Sequence, residues 1–246
     1  MSYEEVTIGA CRLICGDAAD VLPVLAPVDA LITDPPYGID FPYASYDDTP
    51  VGYGPWLWSI VEQAEALCTP GAPVFVFQAM PNVRRFAEWF PRDFRLYAAA
   101  KNFVQLRPVV MQHAYDPVVC WWTPGDAWAS DKESQSVNRD FFVANTNVAF
   151  VQKENLARQH PCPRPLDQMR RLVETWVRPG GVVLDPFMGS GTTGVACVGL
   201  GRAFVGIDIN LRYFDLACQC IAQAYAQPDL FVSLPPAPTQ LAMEMA

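Results

Sequence analysis

The sequence predicts an α/β fold built on a doubly wound, mostly parallel sheet, and two observations predict it. Short runs of β-branched or aromatic residues alternate with longer stretches of helical periodicity, as βαβ units require. An apolar run, Val182 to Leu184, ends in Asp185 and passes through Gly189, Gly191 and Gly194 into a helical pattern, which reads as the strand, tight turn and helix of a nucleotide-type loop. With 246 residues, 51% of them hydrophobic and 17% charged, the chain can bury a full core, so one soluble domain is expected rather than several.

In chain order the expected strands are Leu13 to Cys15, Ala30 to Thr33, Val74 to Gln78, Pro117 to Trp122, Val182 to Leu184 and Ala203 to Ile207. Each is a short run of the residue types that fit a pleated, buried surface. Helices are expected at Trp56 to Leu67, Leu166 to Trp176, Gly194 to Leu200 and Arg212 to Ala224. The segment Asp126 to Asn147 is polar, rich in Ser and Asn and without periodicity, so it reads as a long loop or small insertion, where recognition often resides. Residues 1–225 then form one domain. Residues 226–246 read as a loosely attached tail, because the Pro-rich run Leu234 to Pro238 cannot continue a helix.

Composition narrows the class. Glu4 and Glu5 stand where a signal peptide would carry basic residues, and no apolar run reaches about 18 residues, so the expectation is an intracellular, cytoplasmic protein with no membrane partner. The eight cysteines (11, 15, 68, 120, 162, 197, 218 and 220) are scattered and form no paired C-x-x-C frame; reduced thiols and no metal are expected. A formal net charge of -9 speaks against nucleic acid when read as one number, but its distribution is uneven. Residues 1–83 sum to -10, 84–178 to +4 and 179–246 to -3. A basic face can therefore come only from the middle third, with Arg84, Arg85, Arg92, Arg95, Lys101, Arg107, Arg139, Lys153, Arg158 and Arg164.

Two motifs carry the chemistry. In Asp185-Pro186-Phe187-Met188-Gly189-Ser190-Gly191-Thr192-Thr193-Gly194 the glycines permit tight turning and close backbone approach to a ligand, and the helix behind them offers free amides. The next strand ends at Asp208, about 20 residues on, the distance at which an acid binds ribose hydroxyls, so a nucleoside-type ligand is expected. No Lys follows the glycines, which argues against a phosphate-transfer loop. The second motif is Asp34-Pro35-Pro36-Tyr37, at the end of the apolar run Leu31 to Thr33. Two prolines make a rigid strand end that holds a carboxylate and a carbonyl toward one spot. An exocyclic amine is a poor nucleophile because its lone pair is delocalised into the ring. A site for it must accept its hydrogens and let the nitrogen pyramidalise. Asp34 and a proline carbonyl are suitable acceptors, and Tyr37 offers a stacking face for a base taken out of the duplex.

These motifs, in this order, resemble the amino-methyltransferases of DNA, in the permuted group whose D-P-P-Y motif precedes D-P-F-x-G-S-G-T-T. The match runs over most of residues 11 to 225. It includes Gly16-Asp17-Ala18, where the family's acid reads the adenine of the cofactor. It also includes His160-Pro161-Cys162-Pro163-Arg164-Pro165, similar to an H-P-x-x-K-P element over the methionine end of the cofactor. Arg164 replaces the usual Lys, and Asp208 stands where Glu is common. The resemblance implies a Rossmann-like sheet of seven strands with one antiparallel edge hairpin, and S-adenosyl-L-methionine as cofactor. Asp17, Ala18, Asp34, His160 and Arg164 would hold it, together with Asp185, Pro186, Phe187, Gly189, Ser190, Gly191, Thr192, Asp208 and Ile209. Asp34 to Tyr37 would carry out direct transfer with no covalent intermediate, with Phe41 or Tyr43 helping to clamp the base. Double-stranded DNA would be read by segments near 41–54 and 126–147, the enzyme could pair as a homodimer, and D-P-P-Y favours adenine N6 over cytosine N4.

Three other readings compete. Pro161-Cys162 has the form of the nucleophilic pair of cytosine ring-carbon methyltransferases, yet it precedes the cofactor motif, where that family's nucleophile follows it. An NAD-dependent oxidoreductase would use Gly189, Gly191, Gly194 and Asp208 alike but leaves Asp34 to Tyr37 without a role. A binding subunit without activity would explain the acidic balance but not two intact motifs.

Overall fold

Nine strands lie side by side in one sheet in the computed structural model, which describes residues 3–42, 48–101, 113–128, 138–144, 160 and 163–226. The strands are β1 (Glu4–Ile8), β2 (Cys11–Cys15), β3 (Ala30–Thr33), β4 (Pro73–Phe77), β5 (Arg95–Lys101), β6 (Tyr115–Trp122), β7 (Phe141–Ala144), β8 (Val182–Asp185) and β9 (Ala203–Asp208). Their order across the sheet is β1-β2-β9-β8-β3-β4-β6-β5-β7. The helices are α1 (Ala18–Val21), α2 (Tyr53–Ala66), α3 (Phe86–Trp89), α4 (Leu166–Trp176), α5 (Thr192–Gly199) and α6 (Leu211–Ala226).

The doubly wound α/β class holds, and the reason is visible strand by strand. β4 is buried at all five positions, and its side chains alternate between faces with the period of two that a strand imposes. Val74 and Val76 pack on one side with Leu57, Ile60 and Val61 of α2, and with Phe86 and Trp89 of α3. Phe75 and Phe77 pack on the other side with Met169, Leu172 and Val173 of α4, and with Val195 and Ala217 from α5 and α6. α4 shows its apolar stripe at Met169, Leu172, Val173 and Trp176, the three-and-four spacing of a one-sided helix.

The expected seven strands are extended to nine by two edge strands. β1 pairs antiparallel with β2 through a turn at Gly9, whose φ is +55°. That turn is closed by α6, where the Tyr225 hydroxyl accepts the Ala10 amide at 2.7 Å. At the other edge β7 runs parallel to β5, from Ala98 opposite Phe141 to Lys101 opposite Ala144. Part of Asp126 to Asn147, expected as loop or insertion, is therefore strand. Phe142 turns inward against Tyr97, with ring centroids 5.6 Å apart, while Phe141 and Val143 stay exposed. The rest of that stretch, 129–137 and 145–147, lies outside the described residues, as does the tail 227–246.

The chain's path locates the pocket. From β3 it proceeds to β4 on one side, whereas from β8 it proceeds to β9 on the other. β3 and β8 are parallel neighbours, with Ala30 opposite Val183 and Leu31 opposite Leu184. The winding thus reverses between them, and ligands bind at the carboxyl ends of the strands flanking such a reversal. Among the described residues no helix is long and apolar enough to cross a membrane.

Candidate active site

A cavity of about 580 Å³ opens at this reversal, within the range of pockets that take nucleoside-sized ligands. It is lined from four parallel strand ends: Gly16 to Ala18 after β2, Asp34 to Tyr37 after β3, Asp185 to Ser190 after β8, and Asp208 with Ile209 after β9. His160, Arg164 and Tyr213 complete the wall on one side, and Trp56 and Ile60 of α2 on another. The two sequence motifs, about 150 positions apart in the chain, therefore face one space.

The glycine turn is held from beneath. Gly189 has φ +52°, and its amide donates to Asp208 Oδ2 at 3.0 Å; Asp208 Oδ1 accepts the Asn210 amide at 2.8 Å. Burial pushes the Asp208 carboxyl up to about 7 against the pull of those two amides. Asp185 is more enclosed. Its Oδ1 accepts from the Thr33 hydroxyl at 2.8 Å and the Phe187 amide at 3.1 Å, and its Oδ2 from the Thr193 hydroxyl at 2.8 Å. Burial raises it to about 6 despite these donors. Asp185 thus ties β3, β8 and α5 together at the floor, while Asp208 lines the wall beside the turn. The His160 ring lies edge-on to Tyr213, with centroids 4.5 Å apart, and a Cβ at Gly189 would come within 3.1 Å of His160 Nε2. Gly191 differs from the other expected cofactor residues: it does not line the cavity. It is the N-cap of α5 at φ +77°, where a Cβ would meet Ala217 Cβ at 2.9 Å, so its lack of a side chain lets α5 sit against α6.

The donor set fits S-adenosyl-L-methionine. Gly189 carries no side chain on the cavity wall, Asp208 is a carboxylate acceptor beside that turn, and Asp17 stands at the first strand end. Asp17 Oδ1 caps α1 by accepting the Ala19 amide at 2.9 Å. The apolar wall comes from Phe187 and Trp56, with ring centroids 5.6 Å apart, and from Ile209, exposed at the rim.

At the other end the D-P-P-Y corner is more charged than the sequence led one to expect. The Tyr37 hydroxyl donates to Asp34 Oδ1 at 2.6 Å. Arg164 reaches the same carboxylate with Nε 2.5 Å from Oδ2 and a terminal nitrogen 2.8 Å from Oδ1, and it also contacts the Tyr37 hydroxyl and Asp116. Its guanidinium lies over Phe77, 4.6 Å from the ring centroid. Asp116, raised above the usual carboxylate range by burial, is held in turn by Lys101 at 2.8 Å. After the corner, Asp48 accepts the amides of Gly38 at 2.6 Å, and of Ile39 and Phe41 at 3.0 Å each, which fixes the turn in which Asp40 takes φ +59°.

Arg164, expected beside the cofactor, thus spends its guanidinium on Asp34 and Asp116. Lys101 and Arg164 also leave the expected basic face, because both point into the cavity toward acids. Arg84, Arg92, Arg95 and Arg139 are exposed and Arg85 is half-buried beside Trp89; Arg107, Lys153 and Arg158 lie outside the described residues, as do Tyr43 and Cys162. Phe41 lines the cavity. Sequence reasoning missed Asp116, Lys101, Trp56 and Tyr213. Trp56 opens an expected helix and Asp116 abuts an expected strand, but nothing in their spacing points to one pocket. Among the described residues no group of three or more His, Cys, Asp or Glu is placed to hold a metal ion.

The model of a known family, described as DNA methylase, matches residues 28–219, the span that carries both motifs. The chain belongs to the N6/N4 DNA methylase family. Among relatives it is similar to the type II methyltransferase M.HpaI of Haemophilus parainfluenzae, 26% identical over 230 residues that cover 84% of this chain and 72% of the relative. Among solved structures it resembles M1.HpyAVI in complex with SAM, with a TM-score of 0.67, 22% identity, and coverage of 86% of this chain and 98% of the other. It also resembles the cytosine-N4-specific PvuII DNA methyltransferase, with a TM-score of 0.66 at 15% identity, covering 89% of this chain and 93% of the other. These likenesses bear out the methyltransferase fold expected for this methylase.

Proposed function

We propose that this methylase moves the methyl group of S-adenosyl-L-methionine to the exocyclic amino nitrogen of a base in double-stranded DNA, adenine N6 ahead of cytosine N4. The observation that carries the proposal is the shared cavity, with the Asp34–Tyr37 corner on one wall and the glycine turn on another. SAM in the structure of M1.HpyAVI supports the cofactor. The D-P-P-Y motif favours adenine and the permuted group. The likeness to the cytosine-N4-specific PvuII enzyme keeps N4-cytosine as the second reading.

When bound, the cofactor supplies an electrophilic methyl on a sulfonium. The chain does the rest by positioning. Asp208 and Asp17 accept hydroxyl and amino hydrogens of the nucleoside, and Gly189 allows close approach. At the corner, Asp34 accepts one hydrogen of the target amine, orienting the nitrogen lone pair and offsetting the positive charge that grows on nitrogen. The Tyr37 ring stacks on the flipped base, an interaction worth about 1 to 3 kcal/mol. Arg164 must first withdraw from Asp34, and Asp116 is the carboxylate that keeps it. Arg84 and Arg85, at the end of the 3₁₀ turn Met80–Arg85, would meet DNA phosphates. Two chains paired as a homodimer would double that modest basic face.

The test is to express the chain, digest host DNA to nucleosides and measure N6-methyladenine and N4-methylcytosine by mass spectrometry, with Asp34→Ala as control. The reading expects N6-methyladenine. N4-methylcytosine would select the second reading, and neither product would refute both.

A further inference from the structure

Three polar side chains are buried beside the D-P-P-Y corner and belong to neither motif: Tyr53 on α2 at 2% exposure, Gln78 just past β4 at 0%, and Asn82 in the 3₁₀ turn at 6%. Polar groups this enclosed must satisfy one another. The Tyr53 hydroxyl donates to the Pro36 carbonyl at 2.6 Å and accepts from Gln78 Nε2 at 2.9 Å. Gln78 Oε1 accepts from Asn82 Nδ2 at 3.3 Å, and the same Asn82 amide donates to the Tyr37 carbonyl at 2.8 Å. One hydrogen-bonded chain thus occupies two consecutive carbonyls of the corner. The Pro35 carbonyl is given no such donor among the described residues.

We infer that Tyr53, Gln78 and Asn82 are positioning residues that choose the amine's second acceptor: they take the Pro36 and Tyr37 carbonyls and leave the Pro35 carbonyl to act with Asp34. The inference rests on the methyl-transfer reading above. A carbonyl that already holds a buried donor at 2.6 Å competes poorly for a second hydrogen, and its peptide plane cannot turn. The two prolines restrict φ, but ψ at Pro36 and Tyr37 stays free unless something outside the motif fixes it. The clamp supplies that constraint. It holds the corner in one conformation through side chains that do not line the cavity.

Packing alone would not account for the arrangement. The Tyr53 ring already fills its site against Trp89, with centroids 5.1 Å apart, and beneath Gly38, where a Cβ would come within 2.4 Å of the ring. Tyr53→Phe keeps those contacts and deletes one oxygen. The experiment measures transfer of tritiated methyl from S-adenosylmethionine to unmethylated bacteriophage DNA by the full chain, Tyr53→Phe and Asn82→Leu. It is read as separate kcat and KM values for DNA, beside cofactor Kd and Tm. Both variants are expected to lose about tenfold or more in kcat, while KM for DNA and cofactor Kd stay within roughly threefold. Unchanged kcat in both variants, or cofactor affinity lost in parallel with rate, would overturn the clamp while leaving the methyl-transfer reading intact. A wild-type chain that labels no DNA would overturn that reading, and the clamp with it. If Tyr53→Phe does not fold, Asn82→Leu decides by the same split.

Discussion

The Arg164 guanidinium sits on the Asp34 carboxylate as a two-point ion pair, with nitrogen to oxygen distances of 2.5 and 2.8 Å. A planar fork of N–H donors thereby occupies the acceptors that a planar amino group would need. The same guanidinium also stands between Asp34 and Asp116. Removing it leaves two half-buried carboxylates facing each other. Arg164→Ala is expected to cost about 1 to 3 kcal/mol of stability. Asp116 is already raised by burial, and ionising it near Asp34 becomes more costly once the cation is gone. The loss should therefore grow from pH 5 to pH 8, and Asp116→Asn added to Arg164→Ala should recover part of it at the higher pH. Thermal unfolding of the three proteins at both pH values decides; a loss that shrinks with rising pH would contradict this account.

Asp34→Ala separates the reaction from cofactor binding. The carboxylate lines the same cavity as the glycine turn and is expected to act on the amine. Transfer should fall by about a hundredfold or more, in the range seen when one preorganised charge-stabilising group is deleted. Cofactor affinity should stay within a few-fold. Incorporation of labelled methyl into DNA, set beside equilibrium cofactor binding, measures both, and equal losses in the two would place Asp34 in the cofactor site instead.

Arg84 and Arg85 test the DNA face. Both end the turn whose Asn82 touches the Tyr37 carbonyl, which ties that turn to the D-P-P-Y corner. Arg84→Ala with Arg85→Ala should weaken DNA binding and leave cofactor affinity alone. Because each phosphate contact releases counterions, the slope of log affinity against log salt should become shallower by about 0.9 per lost contact. Fluorescence anisotropy over a salt series reads that slope; an unaltered slope would move the DNA face elsewhere.

Much of this architecture was legible in the chain because periodicity and local turn chemistry express it. The helix from Leu166 to Trp176 was bounded by its own apolar stripe, and the Asp34 and Asp185 corners by apolar strand runs that lead into an acid followed by proline. What escaped depends on tertiary context. The run Ala98-Ala99-Ala100 has helix propensity, yet it forms β5 because β6 and β7 pair with it from both sides. β1 begins with two glutamates, and Glu5 is held by Arg12 across the hairpin at 2.8 Å, a pairing that only the turn creates. Arg164 reads from its neighbours as a cofactor residue. Its pairing with Asp34, 130 positions away, is recorded by no local pattern. The clamp residues were hidden for the same reason, since Tyr53, Gln78 and Asn82 stand on three different elements.

Asp208 is expected to make cofactor affinity depend on pH, and the sign follows from its surroundings. Burial raises its carboxyl to about 7, with negative Asp185 adding to the rise and the Asn210 and Gly189 amides opposing it. An unfolded chain would ionise it near the ordinary carboxylate value of about 4. The fold therefore binds this proton more tightly, and the stability it contributes is fully present below about 4 and is lost as pH rises through 7. Ribose hydroxyls reverse the preference, because they donate to the carboxylate and favour its ionised form. Affinity for S-adenosylmethionine should then rise with pH up to about 7, by at most about tenfold per unit, and level off above it. Asp208→Asn should bind more weakly at pH 8 and lose most of the slope. Equilibrium dialysis with labelled cofactor from pH 5.5 to 8.5 tests both, and a slope that persists in Asp208→Asn would assign the titration to Asp185, whose carboxyl is raised to about 6 at the cavity floor.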